Sequence, residues 1–135
     1  MANYVCVMRT NYFRVKNPDK FRTFMGCVYG DADTVDLWEE KDEQGNPLFG
    51  FGSCGSISGL NEDDYDGFIA GLQRHVADDD AVIILEAGHE KMRYVIGSAE
   101  IVTSKEFKRL NITSLAVSQA AIMLNNPEWT TKCEY

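Results

Sequence analysis

Two turn-forming segments, each set between strand-like runs, constrain this chain more than any other feature. Asp42-Glu43-Gln44-Gly45-Asn46-Pro47 separates Thr34–Lys41 from Leu48–Ser53, and its Gly, Asn and Pro are turn formers. Gly88-His89-Glu90-Lys91 separates the apolar run Ala81–Ala87 from Met92–Thr103. Runs this close together pair as antiparallel hairpins, because a parallel pairing needs a crossover of a dozen or more residues.

Between and around the hairpins lie three helical patterns. Asn17 is placed to cap a helix with Pro18 at its first position, and Phe21, Phe24, Met25 and Val28 recur on one face until Gly30. From Asp63 to Val76, Tyr65, Phe68, Ile69, Leu72 and Val76 share a face, with acids in the first turn where the helix dipole favours them. Thr113 is placed to cap a third helix, in which Val117, Ala120, Ala121 and Leu124 share a face before Asn125, Asn126 and Pro127 end it. Tyr4–Val15 is apolar on both parities and reads as an interior strand, and Glu128–Glu134 alternates like a last strand. The expected fold is α+β: a single mixed, mainly antiparallel sheet with three amphipathic helices in the order β-α-β-β-α-β-β-α-β. At 135 residues the expectation is one domain over residues 1–135.

Composition narrows the partners. Twenty-one acids against thirteen bases give a formal charge of −8, which argues against direct binding of nucleic acid, since that needs a basic footprint. The longest apolar run, Ala81–Leu85, falls far short of the ~20 residues that span a bilayer. Met1–Val7 carries no basic residue, so no secretory leader is expected and the chain reads as cytoplasmic. Cys6, Cys27, Cys54 and Cys133 have no paired short spacing of the zinc or thioredoxin kind and read as reduced thiols. A bridge such as Cys6 to Cys133 would need Cα atoms within about 7 Å.

No chemical motif survives inspection. Gly50-Phe51-Gly52-Ser53-Cys54-Gly55 has the spacing of a dinucleotide loop, but the next helix starts about ten residues later, and no Lys or Arg lies between Lys41 and Arg74. These glycines read better as a bulged strand and loop where another backbone passes closely. Nothing in the sequence places His75 or His89 beside Cys54 as a base. Asp78-Asp79-Asp80 and Glu62-Asp63-Asp64-Asp66 offer hard oxygen ligands, but the second cluster lacks the central glycine and spaced glutamate of a calcium loop. No catalytic residue, metal or cofactor is assigned.

The charge is unevenly placed. Residues 1–30 hold five bases and one acid, whereas residues 31–50 and residues 61–80 each hold seven acids and one base. Asp78-Asp79-Asp80 follows a helix C-terminus, where the dipole disfavours negative charge. Either these acids face a basic partner or they shield the aggregation-prone Ala81–Leu85 strand. Trp38 shares a strand parity with Asp36 and Glu40, so its indole reads either as an exposed hot spot among carboxylates or as a buried ring. If the two acidic segments share one face, they imitate the phosphate array of nucleic acid and steer toward a basic groove. The binding residues so indicated are Asp36, Trp38, Glu39, Glu40, Asp42, Glu43, Glu62, Asp63, Asp64, Asp66, Asp78, Asp79 and Asp80.

The strings Arg9-Thr10-Asn11-Tyr12-Phe13-Arg14-Val15, Leu37-Trp38-Glu39-Glu40-Lys41, Ile83 to Lys91 and Asn126 to Tyr135 resemble those of small acidic accessory proteins of phages and mobile elements of Gram-positive bacteria. The resemblance implies an inhibitor of anti-CRISPR or antirestriction type, a non-enzymatic nucleic-acid mimic whose partner is a bacterial nucleic-acid-processing protein with a basic groove, working as a monomer or small homo-oligomer. Two alternatives stand beside it: a small-ligand-binding or enzymatic domain with a site near Gly52–Gly59, and an assembly subunit of a mobile element.

Overall fold

The computed structural model describes residues 4–31, 33–61 and 63–133. Eleven elements follow one another: β1 (Val5–Thr10), α1 (Pro18–Met25), β2 (Val28–Gly30), β3 (Asp36–Lys41), β4 (Pro47–Ser53), β5 (Ile57–Leu60), α2 (Tyr65–His75), β6 (Val82–Glu90), β7 (Tyr94–Val102), β8 (Phe107–Asn111) and α3 (Ile112–Met123). The architecture is α+β, with three helices around a six-stranded sheet ordered β3-β4-β1-β6-β7-β8 and a separate two-stranded ribbon of β2 and β5. Every strand pairing in the six-stranded sheet is antiparallel.

Both expected hairpins form. Asp42 fixes the first turn by accepting hydrogen bonds from the backbone N–H groups of Gln44 (2.9 Å) and Asn46 (2.8 Å), while Gly45 takes a positive φ of 83° that a side chain would strain. In the second, β6 runs on through Gly88-His89-Glu90, and the reversal falls at Lys91 with φ 50°. The interior strand is shorter than its apolar run. β1 stops at Thr10, after which Phe13 and Val15 make isolated bridges to Phe49 and Val76.

Asn17 caps α1, its side chain accepting from the Lys20 N–H at 3.1 Å, but the helix ends at Met25 and leaves Val28 to β2. Asp64 caps α2, accepting from the Gly67 N–H at 2.9 Å. The cap of α3 is Asn111 and not Thr113: its side chain accepts from the N–H groups of Thr113 (2.9 Å) and Ser114 (3.3 Å). Residues 128–133 carry no strand, in contrast to the alternation of Trp129, Thr131 and Cys133, and Glu134 lies outside the described residues. An alternating run without a sheet edge to pair with does not become a strand.

The sheet has two unlike faces. On one, Met8, Phe49, Phe51, Val82, Ile84 and Val102 are buried against Phe21 and Met25 of α1 and Phe68, Ile69 and Leu72 of α2. Aromatic edges lock this layer, with ring centroids 5.1 Å apart for Phe21–Phe49 and 5.9 Å for Phe51–Phe68. Each buried phenylalanine stabilises the fold by about 1.5–3 kcal/mol. The other face presents Val5, Val7, Leu85 and Val95, all exposed, and α3 packs against it along β7 and β8.

Candidate functional site

The uncovered face holds a cleft of about 650 Å³. Its floor is built from residues that alternate outward along five strands: Trp38 on β3, Gly52 on β4, Val7 and Arg9 on β1, Leu85 and Ala87 on β6, Gly97 and Ala99 on β7. Ile112 and Leu115 of α3 form the far wall. Gly97 lets α3 approach, because a Cβ there would meet Ile112 Cγ2 at 3.1 Å. The lining is almost wholly apolar, and the cleft lies within the size range of small-molecule pockets.

Trp38 and Gly52 shape one end. A Cβ on Gly52 would stand 2.6 Å from Trp38 Cη2 and 2.8 Å from the Met8 carbonyl oxygen, so only glycine lets the indole lie flat across β4. The Arg9 guanidinium stacks on that indole, 5.3 Å from its centroid, and its Nε donates to the Thr10 carbonyl at 3.2 Å. Among the described residues Arg9 makes no salt bridge. Trp38 is thus half-buried in a cleft wall. The glycine run marks a close backbone approach, as expected, with the Met8 carbonyl against Gly52, and Gly52 also makes room for the indole.

A second, smaller pocket of about 250 Å³ opens on the opposite face, between the sheet, β5 and the start of α2. Here the Glu100 carboxylate, 8% exposed, accepts from the Tyr65 hydroxyl and from Arg109, whose Nε donates at 2.9 Å. Burial and the neighbouring carboxylate push the Tyr65 phenol well up, so it stays protonated and donating. The segment Gly52–Gly59 runs between the two pockets, giving Gly52, Ser53 and Cys54 to the cleft and Ser56 and Ile57 to the smaller one. All four cysteines are free thiols.

Of the acidic residues read from the sequence, Asp42, Asp79 and Asp80 come together around Arg14, and four are paired within the chain. Arg22 binds Glu39 with both Nη2 (2.8 Å) and Nε (3.0 Å), and this hydrogen bonding holds the Glu39 carboxyl below its usual range. Lys16 lies 3.3 Å from Asp78 and lowers its pKa in the same way. Arg14 lies 3.0 Å from Asp79, and Asp80 accepts from the backbone N–H of Arg14 (2.9 Å) and of Ala81 (2.8 Å). The unfavourable acids after α2 are therefore answered by the basic N-terminal segment. Asp42 serves its turn, and bonds from the Asn46 and Gln44 N–H groups lower its pKa, the Asn46 one most. Asp64 serves as a cap, Asp63 and Asp66 are exposed at the start of α2, and Glu40 and Glu43 are exposed on the first hairpin. Asp36 and Trp38 line the cleft. Glu62 lies outside the described residues.

No protein-family model and no curated protein matches the chain. Among solved structures it is similar to LarC2, the C-terminal domain of a cyclometallase involved in the synthesis of the NPN cofactor of lactate racemase, in its apo form. The identity is 12%, the match covers 94% of this chain and 90% of that one, and the TM-score is 0.37. A likeness of that size transfers no activity. The resemblance to mobile-element accessory proteins of anti-CRISPR or antirestriction type finds no support in the comparisons, since no family model and no curated protein of that kind matches the chain. The reading as a nucleic-acid mimic that inhibits a defence nuclease falls with it. The pairing of Glu39, Asp78, Asp79 and Asp80 with Arg22, Lys16 and Arg14 of the same chain supplies a physical reason, because carboxylates already bonded in cis are poor substitutes for a phosphate array.

Proposed function

We propose that this chain is a binding domain for a small, mainly apolar molecule that carries an acidic group. The observation that carries the reading is the cleft itself, apolar in its lining and about 650 Å³ in volume, with Arg9 at one end. Stacking on Trp38 orients the guanidinium, and its Nη1 and Nη2 donors suit the bidentate recognition of a carboxylate. The free thiols fit a reducing cytoplasmic setting.

Medium-chain carboxylates are the probe. Trp38 is one of two tryptophans, so in a Trp129→Phe background its fluorescence reports the cleft alone. Saturable quenching is expected, and affinity should rise about fourfold per added methylene while the chain still fits, from ~0.8 kcal/mol per buried CH₂. Arg9→Gln should weaken binding by about tenfold, since a charged hydrogen bond contributes ~1.5–3 kcal/mol and this one is partly solvated. Affinity independent of chain length would refute the reading.

One observation favours a second reading, an assembly subunit. No charged residue occurs from Ile112 to Pro127, yet Leu115 at the cleft and Ile122 and Met123 toward the end of α3 are exposed. Light scattering separates the two: a monomer at 100 μM, on the order of the weakest useful assembly, removes the subunit reading.

A further inference from the structure

The smaller pocket has a chemistry unlike that of the cleft. Glu100 and Arg109 cancel one another across the β7–β8 pairing, where they stand directly opposite. Glu86 is left over. Its Oε2 accepts from the Tyr4 hydroxyl at 2.9 Å, and among the described residues it makes no salt bridge and its Oε1 takes no side-chain hydrogen bond. Ser98 stands opposite Glu86 in the β6–β7 register, and Ser56 lines the pocket from the approach to β5. Met8, Ile57 and Ile84 supply apolar walls. Burial and then the hydrogen bond to Glu86 push the Tyr4 phenol well up, and burial followed by the Glu86 charge raises the Cys6 thiol. Neither is poised as a nucleophile. The pocket therefore offers one uncompensated carboxylate, two hydroxyl acceptors and aliphatic walls.

We infer that this pocket binds a short alkylammonium group, with Glu86 as its counter-charge. An ammonium has three N–H donors, which match one carboxylate oxygen and two serine hydroxyls, while a few methylenes cover Met8, Ile57 and Ile84. At 250 Å³ the space holds about eight water-sized groups, which suits a chain of four to six carbons. The group could belong to a free amine or to a lysine side chain of a partner, and the chemistry recognised is the same.

The test is a titration of the ¹⁵N-labelled protein with n-butylammonium, with n-butanol as the uncharged control and Nα-acetyl-lysine methylamide as the second source. Saturable shifts are expected at the amides of Ser56, Ile57 and Arg109, which line this pocket and not the cleft, with butylammonium and not with butanol. A tighter response to the blocked lysine would assign the site to a partner's side chain, and a tighter response to butylammonium would assign it to free amines. Glu86→Gln should weaken binding at least tenfold, and Ser98→Ala by about threefold. A melting temperature of Glu86→Gln within a few degrees of the parent shows that the loss is not unfolding, and Ser98→Ala serves if the first variant fails to fold. Equal responses to butanol and butylammonium, or undiminished binding by Glu86→Gln, would overturn the inference. Met8, Glu86 and Ser98 border both pockets across the sheet, so the amides at Trp38 and Leu115, which line the cleft alone, separate this outcome from that of the carboxylate titration.

Discussion

Gly52→Ala is expected to destabilise the protein and to loosen the cleft, whereas Gly50→Ala, two residues earlier on the same strand face, is expected to do neither. At Gly52 the new methyl would sit 2.6 Å from Trp38 Cη2 and 2.8 Å from the Met8 carbonyl oxygen, against the 3.5–4.0 Å optimum between carbon atoms. The indole can swing aside, but the carbonyl belongs to β1, which is paired to β4 at this point, so the strands must part. Overpacking of this kind costs roughly 1–3 kcal/mol, and the reduced freedom of the unfolded chain returns about 0.4–1 kcal/mol. The net expectation is a loss of about 1–2 kcal/mol. With an unfolding entropy of about 2.1 cal/mol/K per residue, that lowers the melting temperature by about 4–7 °C. At Gly50 the nearest atoms are 3.4 Å away, and the change should stay within about 0.5 kcal/mol. Urea denaturation and calorimetry of both variants give the numbers. Trp38→Ala combined with Gly52→Ala should show about 1 kcal/mol of coupling, because one of the two clashes is removed. Equal losses at the two glycines, or no coupling with Trp38, would refute the reasoning.

Two further outcomes follow from the charges. His75 packs against Phe24, with ring centroids 4.9 Å apart, and its pKa is lowered by burial and then by Arg74. The unfolded chain therefore takes up the proton first, so stability should be full above pH ~6.5 and fall as the pH drops below it, and His75→Gln should flatten that slope in denaturation curves between pH 7 and pH 5. Asp80→Ala should cost about 1–2 kcal/mol by urea denaturation, since its carboxylate bonds the N–H groups of Arg14 and Ala81, whereas Asp79→Asn, which loses only an exposed ion pair, should change stability by less than about 1 kcal/mol.

The readable parts of this fold were those written in local sequence. Both hairpins follow from turn residues, and α1 follows from Asn17, Pro18 and the spacing of Phe21 and Met25. What escaped depends on distant partners. Val28-Tyr29-Gly30 continues the helical spacing of α1, and only its pairing with Ile57–Leu60, some thirty positions away, makes it a strand. Phe107–Asn111 carries three polar residues in five and becomes a strand because β7 offers it an edge. The acids after α2 broke a local rule that is mended by Arg14 and Lys16, more than sixty positions earlier. The cleft left no motif at all, since Arg9, Trp38, Leu85, Ala99 and Leu115 converge only through the strand order. Its one trace was the glycine run, whose Gly52 makes room for an indole.

The most direct test of the ligand-binding account is an amide-shift map of the protein titrated with decanoate. The account predicts saturable shifts confined to Val7, Arg9, Trp38, Leu85, Ala99 and Leu115, which line the cleft from five elements, with the Arg9 side-chain Nε resonance moving most. Shifts scattered over exposed lysines, or none that saturate, would contradict it.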